Sequence, residues 1–351
     1  MTYRVGIIGS GSITSSHSYA FGRLNKYYDD VKVEKVVMCS PHVTAERAHE
    51  LGWSEICHDW REVVARDDID VIDICAWDYL HYEISKTALE NGKMLICEKP
   101  LADTYEQAKE LVRLAEEKKV SATVCTNYRY IHGLRCIKHL VESGELGDIR
   151  HIYGSFKMGW AMDVNGFMNW RLDERYSPLG TLGDLGTHII DMCHNIGLEF
   201  DKVYGVDENF AKERFDGEKM TKTSSNELSA FCSRFTCGAL GIFEFSRVTM
   251  GSSGMKYEVH GTKGSVRFDK NDMNSLEVLI PERYPDTWEY KKVAVEDILP
   301  FDYKWDDGFN QKDSYTLLFH DFLTDNGNAP TLKDGAACSK VIDDILSSDI
   351  L

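Results

Sequence analysis

Short apolar runs alternate with amphipathic stretches over residues 1–126. The apolar runs, such as YRVGII at 3–8 and VIDIC at 71–75, have the length of buried β-strands, whereas the stretches between them repeat apolar positions at helical spacing. Strands separated by helices are typical of βαβ units, which build a parallel sheet covered on both faces. The predicted strands are 3–8, 31–39, 71–75, 94–97 and 121–126, and the predicted helices are 13–24, 44–51, 60–66, 81–91 and 104–118.

The pattern changes at residue 127, beyond which apolar and polar positions alternate in short runs. Such alternation predicts a mostly antiparallel sheet with one face covered by helices. The sequence thus predicts an α/β chain of two domains: a doubly wound parallel sheet at 1–126, and an α+β domain with an open, predominantly antiparallel sheet at 127–351. The C-terminal helices can pack back on the first domain. The strands of the second part are predicted at 148–158, 202–206, 228–235, 239–246, 256–260, 265–268 and 275–280, and the helices at 134–143, 184–196, 314–325 and 335–347.

The predicted sheet of the second domain has helices for only one of its faces. An apolar sheet face that no helix covers is normally buried against another subunit. We therefore expect a homodimer or homotetramer that forms through the open face of the sheet.

Charge and cysteine usage narrow the class of protein. The 351 residues include 40 Lys and Arg against 57 Asp and Glu, a net charge of −17, and the basic residues form no cluster. Nucleic acids and anionic membranes both select clustered basic residues, so neither is expected as a partner. The ten cysteines are scattered without a C-x-x-C pair, the N-terminus has no apolar signal region, and no run approaches the ~18 apolar residues of a membrane span. We expect a cytoplasmic protein with reduced cysteines.

A glycine-rich turn, GSGSI at 9–13, joins the first predicted strand to the first helix. In this setting the first glycine permits a tight turn, the second lets the backbone approach a pyrophosphate, and the N–H groups at the start of the helix point at the anion. The third glycine of the motif is replaced by Thr14, so a structural turn in another doubly wound protein is the alternative interpretation. Four residues of the turn are candidates for binding a dinucleotide: Gly9, Gly11, Ser12 and Ile13.

The end of the second predicted strand bears on which dinucleotide binds, because an acidic side chain there holds the ribose diol of NAD. The strand is followed by Ser40, and no carboxylate stands at Pro41 or His42. Ser40 either hydrogen-bonds the ribose of NAD or leaves room for the 2′-phosphate of NADP, with His42 or Arg47 as the partner of that phosphate. NAD is the expected cofactor and NADP the alternative.

Asp184 and His188 are four residues apart in a predicted helix, so they lie on one helix face about 6 Å apart. An aspartate and a histidine placed in this way can bind one small ligand. One alternative is structural, with Asp184 as a helix N-cap and His188 as an ordinary buried histidine. The other is a metal site that includes Asp191, although the sequence offers no further ligands for it.

Two more groups of residues are site candidates. Asn127 and Arg129 follow the last predicted strand of the first domain, at the carboxyl edge where ligands bind in such sheets. Arg129 either orients polar groups of a substrate or forms an interdomain salt bridge. Trp170 and Arg171 precede the predicted helix and suit stacking on a sugar ring, whereas Trp160 is interpreted as a core residue.

Several motifs in the chain resemble those of one enzyme family. They are CEKPLA at 97–102, GSGSI at 9–13, GDLGTHIID at 183–191, GELGDI at 144–149 and PTLKDG at 330–335. The chain resembles the family of glucose–fructose oxidoreductase, inositol dehydrogenase and the rhizopine-catabolism protein MocA over nearly its whole length. The resemblance implies an NAD(P)-binding Rossmann domain, a second domain built on an open mixed sheet, and hydride chemistry on sugars or cyclitols.

The resemblance also assigns roles by position. Lys99 resembles the family's catalytic lysine, His188 its acid/base histidine and Asp184 its substrate-site carboxylate. The chain departs from the family's T-P-N-x-x-H motif at residues 77–81, which gives Trp77 a role in shaping the pocket. Beyond the glycine-rich turn, the predicted cofactor contacts are Ser40, Trp77, His81, Glu98, Lys99, Asn127 and Arg171. The predicted substrate contacts are Lys99, Arg129, Trp170, Asp184 and His188.

Oxidation of a secondary alcohol requires a hydride acceptor and a base for the hydroxyl proton, both within about 3 Å of the reacting atoms. A histidine has an ordinary pKa of ~6.5, whereas a lysine stays charged at neutral pH unless its pKa is lowered. His188 is therefore predicted to be the base and Lys99 the cation that stabilises the alkoxide, and the reverse assignment stays open. Several hydrogen-bonding groups beside aromatic rings suit a sugar, glycoside or cyclitol, and no metal is required.

The principal prediction is an NAD(P)-dependent oxidoreductase that transfers hydride between the nicotinamide and a secondary hydroxyl of such a substrate. Two other functions stay open. One is an enzyme with tightly bound NAD that oxidises a glycoside transiently, as a redox-neutral glycosidase or a deglycosylation-coupled enzyme. The other is a non-catalytic protein that senses a dinucleotide, which the presence of both Lys99 and His188 disfavours.

Overall fold

The computed structural model describes residues 1–251, 253–285, 288–301, 305 and 308–348. Contacts within the chain divide it into two compact units. The first unit consists of Met1–Tyr130 and Tyr303–Ser339, and the second of Ile131–Asp302 and Lys340–Leu351. The C-terminal part of the chain thus contributes to both units.

The described residues form α-helices and β-strands whose types follow the predicted pattern for most of the chain. The helices are α1 (Ser12–Tyr27), α2 (Ala45–Glu50), α3 (Trp60–Val64), α4 (His81–Glu90), α5 (Tyr105–Lys118), α6 (His132–Glu142), α7 (Thr187–Asn195), α8 (Val295–Ile298), α9 (Asp313–Thr324) and α10 (Leu332–Leu346). The strands are β1 (Thr2–Ile8), β2 (Lys32–Cys39), β3 (Glu55–Cys57), β4 (Val71–Ile74), β5 (Met94–Cys97), β6 (Ala122–Val124), β7 (Ile149–Lys157), β8 (Phe200–Glu208), β9 (Glu213–Phe215), β10 (Met220–Lys222), β11 (Leu228–Phe235), β12 (Leu240–Ser246), β13 (Gly254–Gly261), β14 (Ser265–Asp269), β15 (Ser275–Leu279) and β16 (Lys291–Ala294).

The sheet of the first unit contains six parallel strands in the order β3-β2-β1-β4-β5-β6. The order reverses beside β1, and in open α/β sheets ligands bind at the carboxyl ends of the strands next to such a reversal. The apolar runs of the sequence correspond to the strands, except that β3 was not predicted. Its residues are exposed or half-exposed, so they carry no buried apolar run that would signal a strand.

Helix α9 belongs to the first unit, although it lies far from the other elements of that unit in sequence. It packs against α1, where the ring of Phe319 stacks on that of Phe21 with their centroids 4.7 Å apart. The neighbouring side chains are apolar and buried, so α9 closes the core on one face of the parallel sheet.

The second unit is built on an eight-stranded sheet in the order β16-β15-β14-β13-β7-β12-β11-β8. Every neighbouring pair is antiparallel except β7 and β12, which run parallel. Helix α7 lies against one face: a Cβ added to Gly154 of β7 would come within 2.7 Å of Ile189 of α7. The predicted fold class, a parallel doubly wound sheet followed by a mostly antiparallel one, is confirmed.

The opposite face of this sheet exposes apolar side chains on its last strands. Tyr204, Val206, Leu240 and Ile242 are 44–52% exposed. Tyr204 and Ile242 both pair in register with Cys232 of β11, which lies between them and is also exposed. The outward positions of β8, β11 and β12 therefore form a continuous surface with apolar residues, which we call the open-face patch.

Several elements of the second unit were not predicted from the sequence. They are β9, β10, β16, the short helix α8 and a π-helical turn before α7. The unpredicted strands are three or four residues long, too short to show a clear alternation of buried and exposed positions. Within the described part of the chain, no helix combines the length and apolar character needed to cross a membrane.

Candidate active site

The glycine-rich turn of the first unit leads from β1 into α1. Gly9 has φ +134°, and a Cβ at this position would lie 2.3 Å from the carbonyl oxygen of Cys75, so only glycine fits. Around Gly11 the space within 4 Å of an added Cβ is open. Helix α1 starts at Ser12 without a side-chain cap and without an acidic residue in its first turn. Uncapped N–H groups beside open space fit the pyrophosphate of a dinucleotide.

Ser40 lies directly after β2 and contacts the same turn. The hydroxyl of Ser10 donates to that of Ser40 over 3.0 Å, and the N–H of Gly9 donates to the carbonyl of Cys39 over 2.8 Å. Arg47 donates from Nη2 to the Ser15 hydroxyl at 2.6 Å. The guanidinium that was predicted as an alternative partner for a 2′-phosphate is thus held on the first turns of α1.

Lys99 follows β5, and the residues on either side of it, Glu98 and Pro100, both take part in hydrogen bonds. The N–H of Lys99 donates to Oε2 of Glu98 at 3.1 Å. The carbonyl of Pro100 lies 2.7 Å from Nδ1 of His81, and Nε2 of the same ring lies 3.1 Å from the carbonyl of Ala76. The peptide bond between Lys99 and Pro100 is cis. The segment that carries the predicted catalytic lysine is therefore tied to α4 and to the loop after β4.

His81 is buried, and each of its ring nitrogens faces a carbonyl oxygen. Burial alone would lower the pKa of His81, but Cys97, Asp78 and the Pro100 carbonyl raise it to about 10. A protonated ring donates from both nitrogens, in agreement with these two contacts. His81 thus links the carbonyl of Pro100, next to Lys99, with the carbonyl of Ala76 in the loop after β4, and its predicted contact with the cofactor stays a prediction.

Glu98 is also buried, and its carboxylate contacts two side chains from distant elements. Nε2 of His17 lies 3.1 Å from Oε1, and the Tyr315 hydroxyl donates to the same oxygen at 3.0 Å. His17 contacts Asp73 through its other nitrogen, which lies 3.0 Å from each carboxylate oxygen. We call these four residues, His17, Asp73, Glu98 and Tyr315, the Glu98 network.

The residues after β6 are buried at the carboxyl edge of the parallel sheet. Asn127 donates from Nδ2 to the Ser314 hydroxyl at 2.7 Å, while its Oδ1 is buried without a hydrogen-bond partner among the described residues. A buried acceptor of this kind suits a ligand with a donor group. Arg129 donates to Oδ1 of Asp334 at 2.8 Å. The salt bridge considered for Arg129 therefore forms within the first unit and not between domains.

Trp77 and Tyr79 form an exposed aromatic pair after β4. The two rings are 44% and 38% exposed, and their centroids are 6.3 Å apart. They occupy the stretch in which the chain departs from the family motif. Large exposed aromatic side chains beside a ligand-binding edge are suited to contact an apolar face of a ligand.

In the second unit, Asp184 lies within the π-helical turn Leu182–Gly186. The α-helix that was predicted to start at Asp184 starts at Thr187, so the simple spacing of four residues per face does not apply between Asp184 and His188. The alternative interpretation of Asp184 as an N-cap is wrong, because the residue lies inside the turn and its side chain contacts arginines. Single π-helical turns within helices are frequently found at functional sites.

Two guanidinium groups contact the carboxylate of Asp184. Nη2 of Arg247 lies 3.2 Å and Nε of Arg171 lies 3.4 Å from Oδ2. Arg247 is fully buried, while 15% of the Asp184 side chain is exposed. Arg247 also donates to the carbonyls of Arg171 and Gly180. Asp184 is thus a carboxylate between two cations that keeps part of its surface accessible.

His188 lies on α7, is largely buried and has the ring of Phe156 beside it, with the centroids 6.1 Å apart. The metal site that was considered for Asp184, His188 and Asp191 does not form in the described part of the chain. The groups of potential ligands found there, all within 4.8 Å of one another, are centred on His17 instead. Among its described residues, the second unit therefore contains a candidate histidine and a candidate carboxylate but no cluster of metal ligands.

The loop before the π-helical turn carries the aromatic candidates. The guanidinium carbon of Arg171 lies 4.2 Å from the centroid of the Trp170 ring, so these two predicted site residues stack on each other. Trp160 is 41% exposed and faces Arg247. The interpretation of Trp160 as a core residue is therefore wrong, because the loop holds its ring at the surface.

Sequence reasoning missed His17, Asp73, Tyr315 and Arg247. Asp73 gave a signal, because a carboxylate in a strand covered on both faces must have a partner. His17 is likewise a polar residue on the apolar face of α1. Neither position identifies its partner, which comes from another element.

Comparison with known families agrees with this architecture. Residues 3–126 match the model described as an oxidoreductase family with an NAD-binding Rossmann fold, GFO/IDH/MocA. Residues 134–267 match the GFO/IDH/MocA C-terminal domain. The two matches follow one another along the chain and cover a large part of both units.

Individual relatives extend the likeness over the whole chain. A levoglucosan dehydrogenase from Pseudarthrobacter phenanthrenivorans is 29% identical over 98% of this chain and 95% of its own. An NADP-dependent scyllo-inositol 2-dehydrogenase from Bacillus subtilis is 27% identical over 75% of this chain and 68% of its own. The solved structure of a levoglucosan dehydrogenase in complex with NADH and levoglucosan superimposes with a TM-score of 0.91 at 28% identity, covering 99% of this chain and 97% of that one.

Proposed function

The chain belongs to the GFO/IDH/MocA family of oxidoreductases with an NAD-binding Rossmann domain, and from this premise we propose that it oxidises a secondary hydroxyl of a sugar, glycoside or cyclitol. The observation that carries the proposal is the likeness, along nearly the whole length of both chains, to the solved structure of a levoglucosan dehydrogenase in complex with NADH and levoglucosan. Lys99, Asp184 and His188 stand in the motifs that resemble the family's catalytic ones, which supports a catalytic function over a purely sensory one.

The glycine-rich turn and its surroundings are the proposed binding site for NAD. The N–H groups of Gly11, Ser12 and Ile13 would hold the pyrophosphate, and Ser40 the ribose of the adenosine. The Oδ1 of Asn127, which has no hydrogen-bond partner in the part of the chain that the structure describes, would accept from a donor on the ligand. When bound, the nicotinamide supplies the hydride acceptor.

Three side chains are proposed to act on the substrate. His188 takes the proton of the reacting hydroxyl, and Lys99 stabilises the negative charge that develops on its oxygen. Asp184 lies between two guanidinium groups, so it acts as an acceptor for the hydroxyls of the substrate. The reverse assignment, with Lys99 as the base, predicts a different dependence of the rate on pH. Profiles of rate against pH for single variants of Lys99 and His188 distinguish the two assignments.

The substrate class follows from the kinds of group that the candidate residues provide. Lys99, Asp184 and His188 offer donors and acceptors, while Trp77 and Trp170 offer flat apolar surfaces. A ring with several hydroxyls and one apolar face uses both kinds of group, whereas a small hydroxy acid uses only the first. A site that pairs several hydroxyls also rejects deoxy analogues, because each missing hydroxyl leaves a polar group unpaired.

The test is a panel of levoglucosan, glucose, a methyl glucoside, inositols, a small hydroxy acid and a simple alcohol. Reduction of NAD is followed by absorbance, and ketone products by mass spectrometry. We expect oxidation of at least one cyclic polyol and a large loss of rate with its deoxy analogue. Oxidation of the hydroxy acid alone would overturn the proposed substrate class. A ketone or cleaved product without net NADH would indicate the redox-neutral enzyme with bound NAD.

We further infer that two copies of the chain associate through the open-face patch. In a monomer the patch exposes four apolar side chains to water: Tyr204, Val206, Leu240 and Ile242. Burial of such side chains between two copies stabilises their association. Light scattering of the purified protein at micromolar concentration should give the mass of a dimer or a tetramer. Ile242→Lys should shift it towards the monomer, whereas Phe167→Lys, at an exposed position outside this face, should not. A wild-type monomer would contradict the inference.

We also propose that the protein works in a reducing compartment, as in the cytoplasm. All ten cysteines are free, and seven of them are buried. Fractionation of cells that express the full-length protein tests this, and recovery from an oxidising compartment would contradict it.

A further inference from the structure

The Glu98 network lies in the interior of the first unit. None of its four residues is more than 6% exposed. They come from α1, β4, the segment directly after β5 and α9, so four parts of the unit meet at this point. Burying two carboxylates and a histidine is expensive unless each charge is paired and hydrogen-bonded.

The histidine satisfies both carboxylates at once. Nδ1 of His17 faces Asp73, and Nε2 faces Glu98, so the ring needs a proton on each nitrogen to donate to both. Burial alone would lower the pKa of His17, but the charge of Asp73 and hydrogen bonds to both carboxylates raise it to about 9. Hydrogen bonding and charge from His17 likewise hold the pKa of Glu98 below its ordinary value, against the effect of burial. Burial raises the pKa of Asp73, against the opposing effect of His17, and we assign an imidazolium between the two carboxyl groups at neutral pH.

Other groups surround the same ring. The thiol of Cys75 lies 3.2 Å from Nδ1, and the rings of Tyr315 and Phe319 lie 4.6 and 5.0 Å from the imidazole. Burial, together with the charges of Asp73 and Glu98, raises the pKa values of the Cys75 and Cys125 thiols well above the ordinary value. Both thiols therefore stay neutral, and the charges of the network are those of His17, Asp73 and Glu98.

Glu98 connects this network to the next residue in the chain. Its Oε1 accepts from His17 and Tyr315, and its Oε2 accepts the N–H of Lys99. Both oxygens are thus engaged, and the carboxylate cannot rotate without losing one of these bonds. A buried ion pair adds little net stability compared with apolar packing, so a role in positioning explains its presence better than a role in stability does.

We propose that His17 and Tyr315 are positioning residues, which fix the Glu98 carboxylate and through it the backbone that carries Lys99. The inference rests on the proposed function, in which Lys99 acts on the substrate. Neither His17 nor Tyr315 touches the reacting atoms in this account. Their effect is on the placement of Lys99, and a displacement of about 1 Å at a catalytic group can lower a rate by as much as ~10²-fold.

The experiment compares Tyr315→Phe and His17→Gln with Tyr3→Phe. Tyr3 is a matched control, because its hydroxyl also donates to a distant part of the first unit, the carbonyl of Leu323, but does not contact Glu98. We expect kcat to fall about 10-fold for Tyr315→Phe and about 100-fold for His17→Gln, while the KM for the sugar and the Kd for NADH stay within about threefold. The control should keep the wild-type kcat.

A purely structural role predicts a different result. In that case Tyr315→Phe and Tyr3→Phe would lose similar amounts of thermal stability and would both keep their kcat. A kcat within twofold of wild type for Tyr315→Phe would overturn the proposal, and His17→Gln, where it folds, gives a second comparison. Because His17→Gln removes a buried charge and can fail to fold, Tyr315→Phe, which keeps the charges, decides the matter on its own.

A second readout does not depend on turnover. Lysines labelled by reductive ¹³C-methylation give one NMR signal each, and the signal of Lys99 is identified by its absence in Lys99→Met. We expect this signal to shift in Tyr315→Phe and to stay unchanged in Tyr3→Phe; no shift in Tyr315→Phe would contradict the positioning role. If wild-type protein oxidises none of the polyols, the proposed function fails, while this measurement still shows whether the network positions Lys99.

Discussion

The segment that carries Lys99 in the first unit and the segment that carries Asp184 in the second unit are stabilised in different ways. Lys99 follows a carboxylate, Glu98, whose partner His17 is a buried group that can lose its proton. Asp184 is itself the carboxylate, and its partners are two arginines, which stay charged over the whole accessible pH range. One region therefore depends on a titratable partner and the other on permanent cations.

The two regions also differ in their exposure to solvent. The Glu98 network is buried and contains none of the groups proposed to touch the substrate, so its proposed effect on the chemistry is on the placement of Lys99. Asp184 keeps part of its surface accessible, so it can bind a substrate directly while Arg247 holds it from below the surface. In the first region an ionic network lies in the interior behind the proposed catalytic residue, whereas in the second the proposed site residue is itself a member of the ion pairs.

The largest effect is expected for Lys99→Met. This change removes the cation that is proposed to stabilise the developing alkoxide, so kcat should fall at least ~10²-fold. The Kd for NADH, measured by cofactor fluorescence, should change less than about threefold, because the glycine-rich turn is untouched. Lys109→Met, at an exposed position on α5, is the control and should leave both values unchanged. A kcat of Lys99→Met within about tenfold of wild type would contradict the proposed role of Lys99.

The second effect concerns Asp184→Asn, which removes a counter-charge from the fully buried Arg247. We expect the free energy of unfolding to fall by about 3 kcal/mol and kcat/KM to fall at least ~10-fold. Urea denaturation and steady-state rates measure the two losses. Glu244→Gln breaks a partly exposed pair with Lys157 in the same unit and should lose less than about 1 kcal/mol. Equal losses of stability in the two variants would show that Arg247 does not depend on Asp184.

The third effect separates the two regions by pH. The pKa of His17 is about 9 in the folded protein and ~6.5 in the unfolded chain, so the folded state binds the extra proton between these values. The stability that His17 contributes is fully present below pH ~6.5 and is lost as the pH rises through about 9. The difference in unfolding free energy between wild type and His17→Gln should shrink across this window.

Asp184→Asn provides the contrast for this measurement. Its partners are arginines, so the stability difference between wild type and Asp184→Asn should stay constant over the same window. Urea titrations of the three proteins at several pH values give both comparisons. A constant difference for His17→Gln would contradict the assignment of an imidazolium, and a falling one for Asp184→Asn would mean that another titratable group controls that site.

The smallest effect is expected from chelators. Hydride transfer with Lys99 and His188 needs no Lewis acid, so activity after incubation with EDTA and dialysis should equal that of the untreated enzyme. Loss of activity with recovery on addition of zinc would contradict this. The group to examine would then be His17 with Asp73 and Cys75, whose potential ligand atoms lie within 4.8 Å of one another.

The sequence determined most of the architecture, because periodicity is a local property of the chain. Apolar runs at 3–8 and 71–75 became buried strands of the parallel sheet, and the alternating runs after residue 148 became the antiparallel one. Gly9 indicated a tight turn, and its backbone conformation is one that no other residue fits. These features depend on neighbours in sequence, and no knowledge of distant contacts is needed to interpret them.

The tertiary structure decided which polar groups meet. His17 contacts Asp73, which lies 56 positions further along the chain, and Glu98, which lies 81 positions further. Tyr315 contacts Glu98 across a separation of 217 positions. Arg129 forms a salt bridge with Asp334 of its own unit. Arg247 forms one with Asp184, which lies in a π-helical turn that no periodicity indicated. Hydrogen bonds and ion pairs act over a few ångströms and leave no regular pattern in a sequence, so their partners are known only once the chain has brought them together.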